Sequence, residues 1–146
     1  ACGVYKGISY AAAVAEVEVD TRSGAIRVTH LWCAHDCGRM INPDQVAAQV
    51  EGNLVWSIGL VLKEELPFEQ GRVRAQTFAD APMPRITDMA QMHVALIDSR
   101  EAPSGAGETA IVAGGAAIAN ALRDATGHRF NRVPVRPTDV LQALRL

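Results

Sequence analysis

Residues 46–62 run for about five helical turns with a single charged residue, Glu51. The segment has a well-marked start: Asn42 suits an N-cap, Pro43 the first helical position, and Gln45 completes capping-box spacing. Val46, Val50, Leu54, Ile58, Val61 and Leu62 then recur at helical spacing. A helix this apolar around its circumference has to be buried, typically at the centre of a larger body. Cut out of such a body, it should leave an apolar patch exposed or in contact with another copy. A second stripe, Gln49, Gly52, Trp56 and Gly59, also faces together. Each interior glycine costs a helix about 1 kcal/mol relative to alanine. Either a ligand or backbone comes close to this face, or the glycines serve tight helix–sheet packing.

The covering layers are legible on both sides. Residues 11–20 alternate, with Ala13, Ala15, Val17 and Val19 on one face and Glu16 and Glu18 on the other. A turn at residues 21–24 leads to a second strand over 25–34, with Ile26 and Val28 sharing a face, so the pair reads as a hairpin. After the helix, 72–78 can form a strand, 80–85 is a proline-bearing loop, and 91–98 is a strand. Residues 111–125 read as a helix ending at Gly127, with Thr109 as its possible N-cap, and 138–144 as a short closing helix. The order is roughly ββαββα with a final helical turn or two. The expected fold is α+β: an antiparallel hairpin and further strands packed on a long buried helix and a second helix.

At 146 residues, 49% hydrophobic and 21% charged, the chain has the size and composition of one globular domain, 1–146. With a net charge of −2 and no basic block, nucleic acid and anionic membranes are poor partners. Residues 1–7 lack a charged leader with an apolar core, and lack an initiator Met. They enter directly into a strand pattern, so the chain reads as a piece of something longer or a processed one.

Three cysteines are present, Cys2, Cys33 and Cys37. Cys33, His35 and Cys37 alternate and would share one face of a strand. Zinc wants four ligands, usually with a second pair downstream, and no such pair exists. Buried thiols beside a core histidine are the better reading, and no metal ligand is assigned. The odd count argues against a disulfide framework.

The stretch richest in chemistry is Pro103-Ser104-Gly105-Ala106-Gly107-Glu108-Thr109-Ala110. It is a glycine-rich loop that delivers one carboxylate to the start of a helix, where free N–H groups and a positive dipole end are available. Such a glutamate is a candidate general base in a partly dry cleft, or merely a helix-start carboxylate in a βα turn. The loop also fits G-x-G-x-x-A formally, but the second parallel strand with an acidic tip that a dinucleotide site needs does not follow. Two readings stand beside that one: a non-catalytic scaffold or subunit-contact domain, and half of a cofactor site formed by Gln49 with its glycine face and by the Glu108 loop.

Asp36-Cys37-Gly38-Arg39-Met40-Ile41-Asn42-Pro43-Asp44-Gln45-Val46-Ala47-Ala48-Gln49-Val50-Glu51-Gly52 resembles the long-helix signature of the molybdenum hydroxylases, the xanthine dehydrogenase and aldehyde oxidase superfamily. Gly105-Ala106-Gly107-Glu108 resembles that superfamily's catalytic-glutamate loop. Asn-Pro-Asp followed by Ala-Gln-x-Glu-Gly, with Ala117 to Leu122 and Thr126-Gly127, is most similar to the isoquinoline 1-oxidoreductase large-subunit branch. The resemblance covers nearly the whole chain through two separated motifs in the right order.

The resemblance implies the C-terminal part of a molybdopterin-binding large subunit. It implies molybdenum on a molybdopterin cofactor, in bacteria usually the cytosine dinucleotide form. Hydroxylation of an N-heteroaromatic ring or oxidation of an aldehyde with water-derived oxygen follows, and electrons leave through iron–sulfur clusters on a small 2Fe-2S partner subunit. Glu108 matches the general base. Gln49 matches a cofactor-binding glutamine, and Gly105, Ala106 and Gly107 lie where backbone lines the site. Trp56 stands where some members have a second glutamine, and Thr109 where many have Pro or Ala. The remainder of the large subunit, N-terminal to this chain, would supply most cofactor contacts. The chain alone is thus expected to bind no cofactor, to be inactive and to self-associate. Cytoplasm and periplasm are equally open.

Overall fold

The computed structural model describes residues 2–5, by backbone alone, and residues 9–145. What the sequence suggests for Ala1, Lys6, Gly7 and the Cys2 thiol lies outside the described residues. The elements in chain order are β1 Cys2–Tyr5, β2 Ser9–Val19, β3 Ile26–Asp36, α1 Pro43–Leu62, β4 Phe68–Glu69, β5 Arg72–Val73, β6 Gln91–Leu96, α2 Thr109–Thr126 and α3 Pro137–Ala143. The expected α+β arrangement is present: a four-stranded sheet in the order β1-β2-β3-β6 with α1 and α2 on one face. β1, β2 and β3 are antiparallel neighbours, and β6 joins β3 in parallel, which α1 and its following loops make possible as a crossover.

β2 and β3 form the expected hairpin, closed by a turn in which the Asp20 carboxylate accepts N–H bonds from Arg22 and Ser23. The pairing slips at one place. Glu16 faces His30 and Val17 faces Val28, so Thr29 is an extra residue on β3. The bulge changes the phase of β3. Val28 is buried before it, and Leu31, Cys33 and His35 after it.

α1 starts as its sequence indicates. The Asn42 side chain accepts the Gln45 N–H at 3.2 Å, and Pro43 is the first helical residue. Val50, Leu54, Ile58 and Val61 are buried against α2 and the sheet. Burial is not all-round: Trp56 is 47% and Leu60 41% exposed on the opposite side, the apolar patch expected of such a helix outside its larger body. The apolar segment has more faces than the described chain has layers to cover them.

Other differences are local. Strand 72–78 shrinks to Arg72–Val73, paired with Phe68–Glu69 in a two-stranded ribbon. Thr109 is the first residue of α2 rather than its cap, and Glu108 occupies the N-cap position. The closing helix begins one residue earlier than expected, at Pro137. α2 ends at Gly127 in the left-handed region, φ 71°, as glycine there allows. No strand follows α2 among the described residues, which removes the dinucleotide reading.

Candidate functional site

The loop from β6 to α2 is tied down at both ends. Ile97 N–H donates to the His35 carbonyl at 2.9 Å, and Ser104 N–H to the Cys37 carbonyl at 2.8 Å. The Ser9 hydroxyl, fully buried, donates to the Gly105 carbonyl at 2.6 Å and lies 2.9 Å from the Ser104 hydroxyl. Gly38 has φ 73°, and a Cβ on it would collide with the Ala102 carbonyl, so loop and β3 end press together there. The glycine loop is thus laid against the end of the sheet and carried across to α1.

On α1 it meets a side chain to which the sequence patterns gave no role. Asn53 is 5% exposed. Its Nδ2 donates to the Gln49 carbonyl at 2.6 Å and to the Gly107 carbonyl at 2.8 Å. Its Oδ1 accepts the Ile111 N–H at 3.2 Å. Gln49 Nε2 approaches the same Gly107 carbonyl at 3.4 Å, at the long limit of a hydrogen bond. The only sign of Asn53 in the sequence is a polar residue in an apolar run beside Gly52, on the edge of the glycine stripe.

These contacts enclose a cleft of about 560 Å³, lined by Gln49, Gly52, Asn53, Trp56, Gly105, Gly107 and Glu108. Gln49 and Glu108 thus lie on the same side of the fold, with Gly52 and Gly107 near them. Glu108 is exposed at the N-cap of α2, and its side chain makes no cap hydrogen bond. Ala106 is half-buried and faces a second pocket of about 330 Å³ across Gln49, shared with Cys37, Asn42 and Gln45. Gly59, expected on the same stripe, is away from the cleft, buried where a Cβ would strike Glu64 and Pro84.

The cleft is suited to a ligand that hydrogen-bonds to neutral groups. A Cβ at Gly52 or at Gly105 would meet nothing within 4 Å, so packing within the described residues explains neither glycine. Open backbone at those two positions leaves room for a close approach. The Gln49 amide adds donors and an acceptor. Beside Glu108, the Thr109 hydroxyl is buried without a hydrogen-bond partner. Such donors fit an organic cofactor better than a bare cation, and the described residues hold no cluster of three or more metal-binding side chains.

Cys33 and His35 stay apart from this chemistry. Cys33, His35 and Cys37 are all buried, as their alternation suggests. Burial pushes the Cys33 thiol up to about 11 and raises Cys37, the latter with help from Asp36. His35 is held below the usual imidazole range by burial, against a hydrogen bond at the Tyr10 backbone and the Asp36 carboxylate.

Known proteins resemble this chain over most of its length. Residues 3–90 match the model of the molybdopterin cofactor-binding domain. The chain is 40% identical over 139 residues to one of the subunits of the nicotinate dehydrogenase of Pseudomonas putida, covering 94% of this chain and 12% of that protein. It is 33% identical over 129 residues to the beta subunit of isoquinoline 1-oxidoreductase from Brevundimonas diminuta, covering 88% of this chain and 16% of the other. Among solved structures, quinoline 2-oxidoreductase from Pseudomonas putida 86 superposes with a TM-score of 0.88 at 28% identity, over 94% of this chain and 19% of that one. The chain therefore spans between about an eighth and a fifth of the length of these relatives.

Proposed function

Because the chain belongs to the molybdopterin cofactor-binding family of the molybdenum hydroxylases, we propose that its cleft forms one wall of the cofactor site of an enzyme that hydroxylates an N-heteroaromatic ring or oxidises an aldehyde. Glu108 is the general base of that site in this reading, and Gln49 with the backbone of Gly105, Ala106 and Gly107 binds the cofactor. The cofactor is molybdopterin, in its cytosine dinucleotide form, carrying molybdenum. The remainder of a large subunit and an iron–sulfur subunit complete the enzyme, and the 146-residue chain alone is inactive.

The observation that supports the reading is the meeting of Gln49 with Gly107, 58 residues apart in sequence, which brings the Glu108 carboxylate and the α1 glycine face to one cleft. When bound, the cofactor supplies the oxygen-transfer and two-electron chemistry that amino-acid side chains lack. The chain's own residues do the rest. Glu108, free of any cap bond, accepts a proton at its carboxylate. Gln49 offers an amide to orient a polar ligand edge, and Trp56 shields one side of the cleft from water.

The test uses the assembled enzyme. General-base catalysis typically contributes about 10²–10⁴-fold. Glu108→Gln keeps the shape and removes the base, so kcat per molybdenum falls by at least about a hundredfold while molybdenum content stays near wild type. Gln49→Ala instead lowers cofactor content. Wild-type turnover per molybdenum in Glu108→Gln, with an N-heterocycle and with an aldehyde, returns the loop to a structural βα turn.

A further inference from the structure

α2 has an uncommon beginning. A helix start leaves N–H groups without intrahelical partners, and the N-cap side chain normally accepts one of them. Here the N-cap residue is Glu108, whose side chain accepts none. The acceptor comes from another helix: Asn53 Oδ1 takes the Ile111 N–H, the third residue of α2. The same amide turns its Nδ2 to the Gly107 carbonyl at 2.8 Å, and that carbonyl belongs to the peptide unit joining Gly107 to Glu108. A peptide unit is planar and trans, so fixing its carbonyl fixes its N–H in the opposite direction and sets the plane from which the Glu108 Cα departs. The second hydrogen of Nδ2 goes to the Gln49 carbonyl, which locks the amide's orientation and leaves it no freedom to swap its roles.

We propose that Asn53 is the positioning residue of this site: by capping α2 from α1 and clamping the Gly107 carbonyl, it frees the Glu108 carboxylate from structural duty and sets where it stands. The proposal deepens the reading of Glu108 as base and rests on it. Asn53 touches no reacting atom; it acts through Glu108. Three hydrogen bonds on one buried amide explain a polar residue in the least polar segment of the chain. Ser57, one turn further along α1, is a lesser counterpart: its hydroxyl donates to the Asn53 carbonyl at 2.8 Å and approaches the Ile111 carbonyl at 3.5 Å.

The test combines hydrogen exchange with kinetics on the assembled, cofactor-loaded enzyme. In Asn53→Ala, the Ile111 amide and those of residues 105–108 exchange at least about tenfold faster, while β2 and β3 amides are unchanged. Turnover per molybdenum falls about tenfold or more, with KM within about twofold. The loss vanishes in the Glu108→Gln background, because a residue acting through Glu108 has nothing left to position. Asn53→Asp keeps the acceptor for Ile111 and loses both donors, so it restores Ile111 protection without restoring kcat. Unchanged exchange at Ile111 in Asn53→Ala overturns the clamp whatever the kinetics show. An undiminished loss in the Glu108→Gln background overturns its action through Glu108. Should Asn53→Ala fail to assemble, wild-type kcat in Asn53→Asp overturns the proposal. Failure of the underlying reading looks different: Glu108→Gln alone turns over at the wild-type rate while the Asn53 variants still loosen the loop.

Discussion

Gly52 and Gly59 lie on one helix and read alike in the sequence, but only one is needed for packing. At Gly59 a Cβ would stand 2.9 Å from Pro84 Cγ and closer still to Glu64, whereas at Gly52 it would meet nothing within 4 Å. Gly52→Ala should therefore stabilise the isolated chain by about 0.5–1 kcal/mol in urea unfolding. In the assembled enzyme the same methyl group stands in the cleft and should lower molybdenum content; equal content would show that nothing approaches this face. His35 allows a second prediction. Its folded pKa lies below the ordinary 6.5, so the unfolded chain binds the proton more readily. Stability is fully present above about pH 6.5 and falls as the pH drops below it; His35→Leu should flatten that part of the urea-unfolding profile, above the range in which Asp88 protonates. Residue identity was legible where a residue belongs to a motif, as with Gln49 and Glu108. It was illegible for Asn53, because its three hydrogen bonds are made to backbone groups up to 58 residues away and leave no spacing to read.

Between elements, the decisive contact is the crossing of α1 and α2. α2 buries the small residues Ala110, Ala113, Gly114 and Ala117, and at the crossing a Cβ on Gly114 would stand 2.5 Å from Ser57 Oγ and 3.2 Å from Leu54 Cδ2. The helices approach closely because one of them has no side chain at that point. Gly114→Val should cost about 1–3 kcal/mol or more through overpacking, and Leu54→Ala about 2–5 kcal/mol through the cavity it leaves. Both should lower the urea midpoint, and Gly114→Val should also speed exchange at Ile111, since the crossing holds Asn53 against α2. A Gly114→Val protein as stable as wild type would mean that the helices can slide apart freely. The elements themselves were largely readable. Asn42, Pro43 and Gln45 mark the start of α1, and the alternation of residues 11–20 marks β2, because local capping and side-chain period are properties of neighbours in sequence. The bulge at Thr29 was not readable, since its cause is pairing across strands: the Thr29 hydroxyl bonds to the Glu16 carboxylate and backbone. Nor was the parallel seat of β6 beside β3, which is set by where α1 and the intervening residues deliver the chain.

At the scale of the molecule, the described residues cover the sheet on one face only. Its other face carries Tyr10, Val14 and Trp32, the last two paired across β2 and β3, with Val14 62% exposed. Trp32 lies against the rings of His30 and His93 with centroids 5.2 and 5.3 Å away, and His30 Nδ1 reaches His93 Nε2 at 3.3 Å. Val14, Trp32 and His93 line an apolar hollow with Ala12, Ala34 and Ala95. The exposed side of α1, with Trp56 and Leu60, is a second such surface. Apolar surface of this kind on a chain that spans less than a fifth of its relatives' length is expected to be covered in the assembled enzyme. In isolation it should drive self-association. Sedimentation of the 146-residue chain should show a weight-average mass rising with concentration. Val14→Lys places a charge at the centre of the open sheet face, away from the core and the cleft, so it should shift the association to higher concentration while leaving stability in urea within about 0.5 kcal/mol of wild type. An association unchanged by Val14→Lys but weakened by Trp56→Lys would assign the contact to α1 instead. A monomer at every concentration would mean that neither surface is sticky enough to need a partner.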